Sequence, residues 1–217
     1  MKALIFDLDG TILDTLEDLK NAVNHALNFY NYPEKDLEFV RKAIGNGTQV
    51  LIRRCTPFDI TEERYRVVFN CFKQYYLEHY ADYTHPYVGI KDLLESLKGK
   101  CLLCVVSNKD NDLTQKLINK EFPGLFDVIQ GSYMNHPKKP DPYLIKKIFS
   151  ENNIDKNSCL YIGDTNVDKE SALNAGLAYR LVSYGYRTID ELEKMCPNDT
   201  PFSSVNQLSD YLLKWVN

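Results

Sequence analysis

Short apolar runs recur along the chain at residues 3–6, 102–106 and 159–162. Each run lacks charged residues and is bounded by polar residues or glycine, a pattern typical of strands buried on both faces of a parallel sheet. Runs at 127–131 and 178–182 are weaker candidates for further strands. The pattern therefore predicts a sheet with at least three buried strands.

Segments with helical spacing of apolar residues separate these runs, and they cover residues 89–98, 110–121, 141–152 and 166–175. In the third segment we expect Asp141 to be the N-cap and Pro142 the first helical residue. The fourth segment ends before Gly176, a residue typical of the position just beyond a helix. The alternation of strand and helix predicts an α/β fold, namely a doubly wound parallel sheet with a Rossmann-like core.

Residues 15–84 interrupt this alternation, because the segment contains no convincing strand. Its apolar residues follow helical spacing in two stretches, first Leu16, Leu19, Val23, Leu27 and Tyr30, and then Tyr65, Val68, Phe69, Phe72 and Tyr76. The second stretch lies in a helix predicted from Thr61 to about Tyr80, and its aromatic residues indicate a bundle core rather than a ligand site. We therefore predict an inserted α-helical cap domain at 15–84 and an α/β catalytic core formed by 1–14 and 85–217.

Composition narrows the class of protein. The chain has 217 residues, 44% hydrophobic and 26% charged, which is enough apolar material for a core. A net charge of −4 and a pI near 5.6 argue against nucleic acid as a partner. No stretch approaches the roughly 20 apolar residues of a membrane span, and the N-terminus lacks the features of a signal peptide. We expect a cytoplasmic protein without a membrane partner.

The cysteines do not indicate a redox or zinc site. Cys101 and Cys104 form a CxxC pair beside an apolar run, and residues three apart on a strand point to opposite faces of the sheet. We therefore expect both residues to be buried free thiols.

Polar residues gather where the three best strands end. They are Asp7 and Asp9, then Ser107 and Asn108, then Asp164 and Asp168. Ligands of open α/β sheets bind outside the carboxyl ends of the strands, so we expect these residues to share one site. Each has a local alternative. Asp7 could be a turn residue, Ser107 and Asn108 could cap a helix, and Thr165 with Asp168 could form a capping box.

Four carboxylates at one edge of a sheet would repel one another without a cation. Magnesium prefers one or two carboxylates together with phosphate and water, whereas zinc would call for histidine or cysteine ligands, which this pattern lacks. In the segment Lys138-Lys139-Pro140-Asp141-Pro142 the prolines stiffen the backbone behind one lysine, whose fixed ammonium would suit a phosphoryl oxygen, and an exposed basic turn is the alternative. The residues thus predict a magnesium site that accepts a phosphate group.

Four segments of the chain resemble, in the same order, the four motifs of the haloacid dehalogenase-like (HAD) hydrolases. They are DLDGT from Asp7, Ser107-Asn108, Lys139-Pro140 and GDTNVD from Gly163. The helical insertion directly after the first motif resembles the cap of the phosphoglycolate phosphatase-like branch. Gly45-Asn46-Gly47 in that insertion is also similar to this branch, with a simple turn between two helices as the alternative. The resemblance covers most of the chain and implies a hydrolase of phosphate esters.

The resemblance also implies a role for each motif residue. Asp7 would attack phosphorus and form an aspartyl-phosphate, and Asp9 would protonate the leaving oxygen and later deprotonate water. Asp7, Asp164 and the carbonyl of Asp9 would bind Mg²⁺, while Asp168 would orient Lys139 or a metal-bound water. The groups that would hold the phosphoryl oxygens are Ser107, the amide of Asn108, Lys139, and backbone donors of Gly10 and Thr11.

The cap is expected to exclude water and to choose the substrate, a small phosphorylated metabolite. Arg53, Arg54 and Lys109 could recognise a carboxylate or a second phosphate of the substrate, with solvated surface charge as the alternative for the arginines. Asn46 is a further candidate for substrate specificity. A phosphoglycolate-like ester is the preferred substrate, and a nucleoside monophosphate, a sugar phosphate or pyrophosphate would suit the same core. A sugar-phosphate mutase or a non-catalytic binding protein are the other functional alternatives. We expect a monomer or a homodimer.

Overall fold

The computed structural model describes residues 2–217, which divide into two compact units. The α/β unit runs to Asp14 and resumes over Pro86–Asn217, and the helical unit comprises Thr15–His85. The return to the α/β unit lies one residue beyond the position predicted from the sequence. Among residues 2–217, no helix combines the length and the apolar character needed to cross a membrane.

The helical unit consists of α1 (Leu16–Asn28), α2 (Leu37–Ala43), α3 (Thr48–Cys55) and α4 (Glu62–His79). The side chain of Thr61 accepts a hydrogen bond from the amide of Arg64, so it caps α4 as Ser and Thr commonly do. Most of the predicted aromatic row is buried in this unit, whereas Phe69 is half-buried. Tyr30 departs from the prediction, because α1 ends at Asn28 and leaves Tyr30 outside the helix.

The strands are β1 (Ala3–Phe6), β2 (Leu13–Asp14), β3 (His85–Pro86), β4 (Leu102–Asp110), β5 (Val128–Ser132), β6 (Cys159–Gly163) and β7 (Ala178–Leu181). Five of them form a parallel sheet in the order β5-β4-β1-β6-β7. The central strand is β1, in which Ala3 pairs with Leu102 on one side and with Cys159 on the other. The predicted α/β fold class is confirmed, and the carboxyl ends of β1, β4 and β6 lie side by side.

The helices of the α/β unit are α5 (Ile90–Leu97), α6 (Asn111–Glu121), α7 (Tyr143–Asn152), α8 (Asn166–Ala175), α9 (Ile189–Met195) and α10 (Val205–Val216). The predicted start of α7 is wrong by one residue. Pro142 occupies the N-cap position, and the side chain of Asp141 accepts a hydrogen bond from the amide of Tyr143 at 2.8 Å. Asp141 therefore bonds the amide two residues ahead, as in an Asx turn, and the helix begins only at Tyr143.

A core cluster packs β1, β4 and β6 against α7 and α8, with Ile5, Cys104 and Tyr161 facing Leu144 and Ala172. Burial of this apolar surface holds the three central strands in place, and therefore also the loops that follow them. The cluster includes one of the predicted free thiols. Cys101 and Cys104 are both buried and unpaired, which confirms the prediction for the CxxC pair.

Candidate active site

Asp7 lies directly beyond the central strand. Its amide donates to the carbonyl of Ile162 at 2.9 Å and so continues the hydrogen bonding between β1 and β6. The side chain is largely buried, and Oδ1 accepts a hydrogen bond from Nζ of Lys139 at 2.6 Å. No other residue in the range 2–217 donates to the carboxylate of Asp7, so Oδ2 is left for another partner.

Lys139 is held by both its main chain and its ammonium group. The side chain of Asn108 accepts from the amide of Lys139 at 2.8 Å and donates to its carbonyl at 3.1 Å. The ammonium then donates to Asp7, to Oδ1 of Asp168 at 2.8 Å and to the hydroxyl of Tyr161 at 3.0 Å. Burial lowers the pKa of Lys139, but Asp168 and Asp7 raise it by more, so the net pKa is well above the usual value and the group stays charged.

Asp168 forms four hydrogen bonds through its two carboxylate oxygens. Oδ1 accepts from Lys139 and from the hydroxyl of Tyr161 at 3.2 Å, while Oδ2 accepts from the amide and hydroxyl of Thr165 at 3.0 and 2.7 Å. The capping box that the sequence offered as an alternative is therefore present. It coexists with the contact to Lys139, because different oxygens serve the two purposes.

Asp164 is fully buried beyond the end of β6. Its Oδ2 accepts from the amide of Tyr186 at 2.8 Å, and its Oδ1 accepts a longer bond of 3.3 Å from the hydroxyl of Thr11. A segment that follows β7 and the loop that follows β1 therefore both orient this carboxylate.

Asp7, Asp164 and Asp168 place one oxygen each within 4.8 Å of one another. Burial, reinforced by the charge of Asp168, raises the pKa of Asp7 to about 7. Burial raises the pKa of Asp164 well above its usual range, and the negative charges of Asp168 and Asp7 add to this effect. Lys139 therefore leaves negative charge uncompensated. Buried carboxylate oxygens with this excess of negative charge fit a hard divalent cation, and Asp7 and Asp164 are less fully hydrogen-bonded than Asp168.

Asp9 and Lys109 form a second charged pair at the same edge. Nζ of Lys109 donates to Oδ1 of Asp9 at 2.8 Å, and the lysine side chain is only 3% exposed. The sequence offered Lys109 as a residue that contacts the substrate. The structure places its ammonium in contact with Asp9, and the contact of Lys109 with a substrate stays a prediction.

Ser107, Gly10 and Thr11 line the same strand ends. The hydroxyl oxygen of Ser107 accepts from the amide of Lys109 at 3.1 Å, which leaves the hydroxyl proton available for donation. The amides of Gly10 and Thr11 already donate to the carbonyls of Leu13 and Leu8, at 2.9 and 3.3 Å. These two amides therefore stabilise the loop itself.

Asn46, Arg53 and Arg54 belong to the helical unit. Arg53 pairs with Glu62 at 2.9 Å, and its guanidinium lies 3.5 Å from the ring centroid of Tyr65. Arg54 instead donates to Oδ1 of Asn46 at 3.1 Å, within the glycine-flanked loop noted in the sequence. Of the two arginines, Arg54 is the one connected to that loop.

Two parts of the site were missed by reasoning from the sequence. One is Tyr161, whose hydroxyl joins Lys139 to Asp168; the single polar-tipped residue inside an apolar strand was the available signal. The other is the segment 184–187, which binds Asp164 through a backbone amide. A Tyr-Gly-Tyr sequence just beyond the last strand was its only signal.

Known proteins resemble this chain along most of its length. The sequence profile of the haloacid dehalogenase-like hydrolases matches residues 4–182. A phosphoglycolate phosphatase of Aquifex aeolicus is 34% identical over 188 residues, which covers 86% of each chain. That of Aliivibrio fischeri is 30% identical over 194 residues, again with 86% of each chain covered. A crystal structure of a predicted phosphoglycolate phosphatase from Haemophilus somnus is 28% identical, with a TM-score of 0.88, and covers 99% of this chain and 97% of its own.

Proposed function

Because the chain belongs to the haloacid dehalogenase-like hydrolases, in their phosphoglycolate phosphatase-like branch, it is a phosphoric monoester hydrolase, and we propose that Asp7 is its nucleophile. The observation that carries this proposal is the position of Asp7. The carboxylate lies at the carboxyl end of the central strand, is held at 2.6 Å by the charged Lys139, and keeps Oδ2 available. A nucleophile fixed in this way attacks with little loss of rotational freedom.

In the first step, an oxygen of Asp7 forms a bond to phosphorus while the bond between phosphorus and the leaving oxygen breaks. Asp9, which takes up a proton before this step, gives that proton to the leaving oxygen, so the product leaves as an alcohol and Asp9 becomes a carboxylate again. Asp7 then carries the phosphoryl group as an aspartyl-phosphate. The ammonium of Lys109, 2.8 Å from Oδ1 of Asp9, faces the carboxylate that this step creates.

In the second step, water attacks phosphorus and Asp9 accepts the proton that the water loses. The bond between phosphorus and the oxygen of Asp7 breaks, which releases inorganic phosphate and restores both aspartates to their starting states. The two steps together consume one water and one phosphate ester and produce one alcohol and one phosphate.

The phosphoryl oxygens would be held by Ser107, Asn108 and Lys139. The hydroxyl of Ser107 has its proton free to donate, because its oxygen already accepts from the amide of Lys109. The side chain of Asn108 is engaged with the main chain of Lys139, so only its backbone amide would serve the phosphate. The amides of Gly10 and Thr11 donate within the loop, so they would stabilise the loop around the phosphate and not bind its oxygens.

Asp7, Asp164 and the carbonyl of Asp9 would hold Mg²⁺. When bound, Mg²⁺ supplies positive charge next to the transferred phosphoryl group and so stabilises the negative charge on its oxygens. Asp168 would contribute indirectly, since its Oδ1 positions the ammonium of Lys139 at 2.8 Å.

A small phosphorylated metabolite is the proposed substrate, and a phosphoglycolate-like ester is the preferred choice because the relatives at 34% and 30% identity are phosphoglycolate phosphatases. A net charge of −4 does not favour a polyanionic partner such as nucleic acid. A cytoplasmic location and a monomeric or homodimeric state complete the proposal. Size-exclusion chromatography with light scattering tests the oligomeric state.

A panel of phosphate esters tests the function. Free phosphate is measured with Mg²⁺ for phosphoglycolate, a nucleoside monophosphate, glucose 1-phosphate and pyrophosphate, and kcat/KM is compared between them. Asp7→Asn is the inactive control, and Asp210→Asn, which changes an exposed carboxylate of the same unit, is the matched active control. Highest kcat/KM on phosphoglycolate supports the substrate assignment. Turnover no greater than that of Asp7→Asn on every ester would disprove the phosphatase, and isomerisation of glucose 1-phosphate without free phosphate would indicate a mutase.

A further inference from the structure

The segment 184–187 (Tyr184 to Arg187) packs against the loop that follows β1. Gly185 is the point of closest approach, because a Cβ added there would overlap the carbonyl oxygen of Gly10 and approach Cβ of Asp164. The φ angle of Gly185 is not positive, so other residues can adopt its backbone conformation. The need for glycine at this position is therefore steric: only a residue without a side chain permits the approach.

The close approach brings two hydrogen bonds into range. The amide of Tyr186 donates to Oδ2 of Asp164 at 2.8 Å, and the hydroxyl of Tyr184 donates to the carbonyl of Thr11 at 3.1 Å. Gly10 adds the reciprocal constraint, since a Cβ there would overlap the carboxylate of Asp164 and the ring of Tyr186. The segment and the loop thus interlock around one carboxylate.

We propose that Gly185 is a positioning residue for the cation site, because it lets the segment 184–187 hold the carboxylate of Asp164 in its ligating orientation. The amide of Tyr186 donates to Oδ2 at 2.8 Å and so restrains the rotation of the carboxylate, while Oδ1 accepts the longer bond of 3.3 Å from Thr11. The inference rests on the proposed role of Asp164 as a cation ligand. Hydrogen-bonding partners that orient metal ligands commonly change metal affinity about 10- to 100-fold when they are removed.

Gly185→Ala is the direct test, since a backbone amide cannot be removed by changing the side chain of Tyr186. The added methyl would force the segment away from Gly10 and lengthen the bond to Asp164. Ser183→Ala is the matched control: its side chain makes no hydrogen bond to the rest of residues 2–217, and it lies in the same stretch of chain. Tyr184→Phe is a milder second variant that removes only the bond to Thr11.

Mg²⁺ alone is titrated into each resting protein by calorimetry, without substrate or phosphate. We expect the Kd for Mg²⁺ to rise about 10- to 100-fold in Gly185→Ala, about 2- to 10-fold in Tyr184→Phe, and not at all in Ser183→Ala. In turnover assays, the Mg²⁺ concentration for half-maximal activity should rise in parallel, whereas the KM for substrate at saturating Mg²⁺ should be unchanged. If Gly185→Ala does not fold, the Kd of Tyr184→Phe for Mg²⁺ decides whether the segment 184–187 positions the cation site.

The outcomes separate this inference from the proposed function. Wild-type Mg²⁺ affinity in both Gly185→Ala and Tyr184→Phe would overturn the positioning role while leaving the phosphatase intact. Weakened Mg²⁺ binding in a protein that hydrolyses no ester would support the positioning role and overturn the phosphatase. Absence of Mg²⁺ binding by the wild-type protein would overturn both the cation site and the role of Gly185.

Discussion

Replacing Asp7 by asparagine should have opposite effects on activity and on stability. In the metal-free protein, burial and the charge of Asp168 raise the pKa of Asp7 from 3.8 to about 7. Ionising this group therefore costs free energy in the folded state that it does not cost in the unfolded chain. An asparagine avoids that cost, and its amide oxygen can still accept the hydrogen bond from Lys139.

The sign and the size of the effect follow from proton linkage. At pH values below 3.8 the carboxyl is protonated in both states, so it causes no penalty. Between pH 3.8 and about 7 only the unfolded chain is largely ionised, so the wild-type protein loses stability as the pH rises through this window. The full penalty, present above pH 7, is at most about 4 kcal/mol at about 1.4 kcal/mol per pH unit. At roughly 2–4 °C per kcal/mol, Asp7→Asn should melt roughly 10 °C higher.

Differential scanning calorimetry in EDTA at pH 8 and pH 5 measures this effect. We expect Asp7→Asn to melt above the wild type at pH 8, with less than half of that difference at pH 5. Added Mg²⁺ should raise the Tm of the wild type more than that of Asp7→Asn. Asp210→Asn should match the wild type throughout. A lower Tm for Asp7→Asn than for the wild type at pH 8 in EDTA would show that the ion pair with Lys139 outweighs the cost of burial, and would refute this reasoning.

Substitutions at three further positions give separate checks. Lys109→Met removes the 2.8 Å ion pair with Asp9 and should lower kcat about 10-fold or more. Lys109→Arg should recover part of the rate. An unchanged kcat in Lys109→Met would argue that Lys109 does not orient Asp9. Asp18→Asn should destabilise the helical unit by about 1–3 kcal/mol in urea unfolding, because the buried carboxylate accepts hydrogen bonds from residues 83–84; equal midpoints for variant and wild type would contradict this. Asp168→Asn places an amide among four hydrogen-bond donors, so both Tm and kcat should fall. We expect a stability loss of about 3–5 kcal/mol in thermal unfolding. A variant as stable as the wild type would show that the buried ion pair between Asp168 and Lys139 does not stabilise the fold.

The sheet could be predicted from the sequence because its strands are buried on both faces. Three uncharged apolar runs mark β1, β4 and β6, and the alternation with helices then determines a parallel arrangement. The end of β4 was not predictable in this way. It extends to Asp110 through a polar stretch, because pairing with β5 resumes there after an irregularity near Val106.

The site was predictable to the extent that its residues follow strand ends. Asp7, Asp164 and Lys139 do lie together in the structure, because the sheet brings together the chain segments that carry them. Contacts made by the backbone left no such signal. The amide of Tyr186 and the approach of Gly185 depend on the path of the chain after β7, which the pattern of side chains does not encode.

Lys109 shows a second limit of reasoning from residue type. A lysine beside a phosphate site suggests a ligand for an anionic substrate, yet its ammonium contacts Asp9. Only the geometry distinguishes a charge that meets the substrate from one that orients a neighbouring carboxylate. Arg53 likewise contacts Glu62 and the ring of Tyr65, and its role in recognising the substrate stays a prediction.

The central claim is that Asp7 carries the phosphoryl group during turnover, and rapid acid quench followed by peptide mass spectrometry tests it most directly. The protein is mixed with Mg²⁺ and an excess of phosphoglycolate or the best ester from the panel, then quenched within one turnover. We predict that the peptide containing residue 7 gains the mass of one phosphoryl group, that hydroxylamine removes it, and that Asp7→Asn gains none. Rapid hydrolysis with no phosphorylated peptide, or phosphorylation at a residue other than Asp7, would contradict the account.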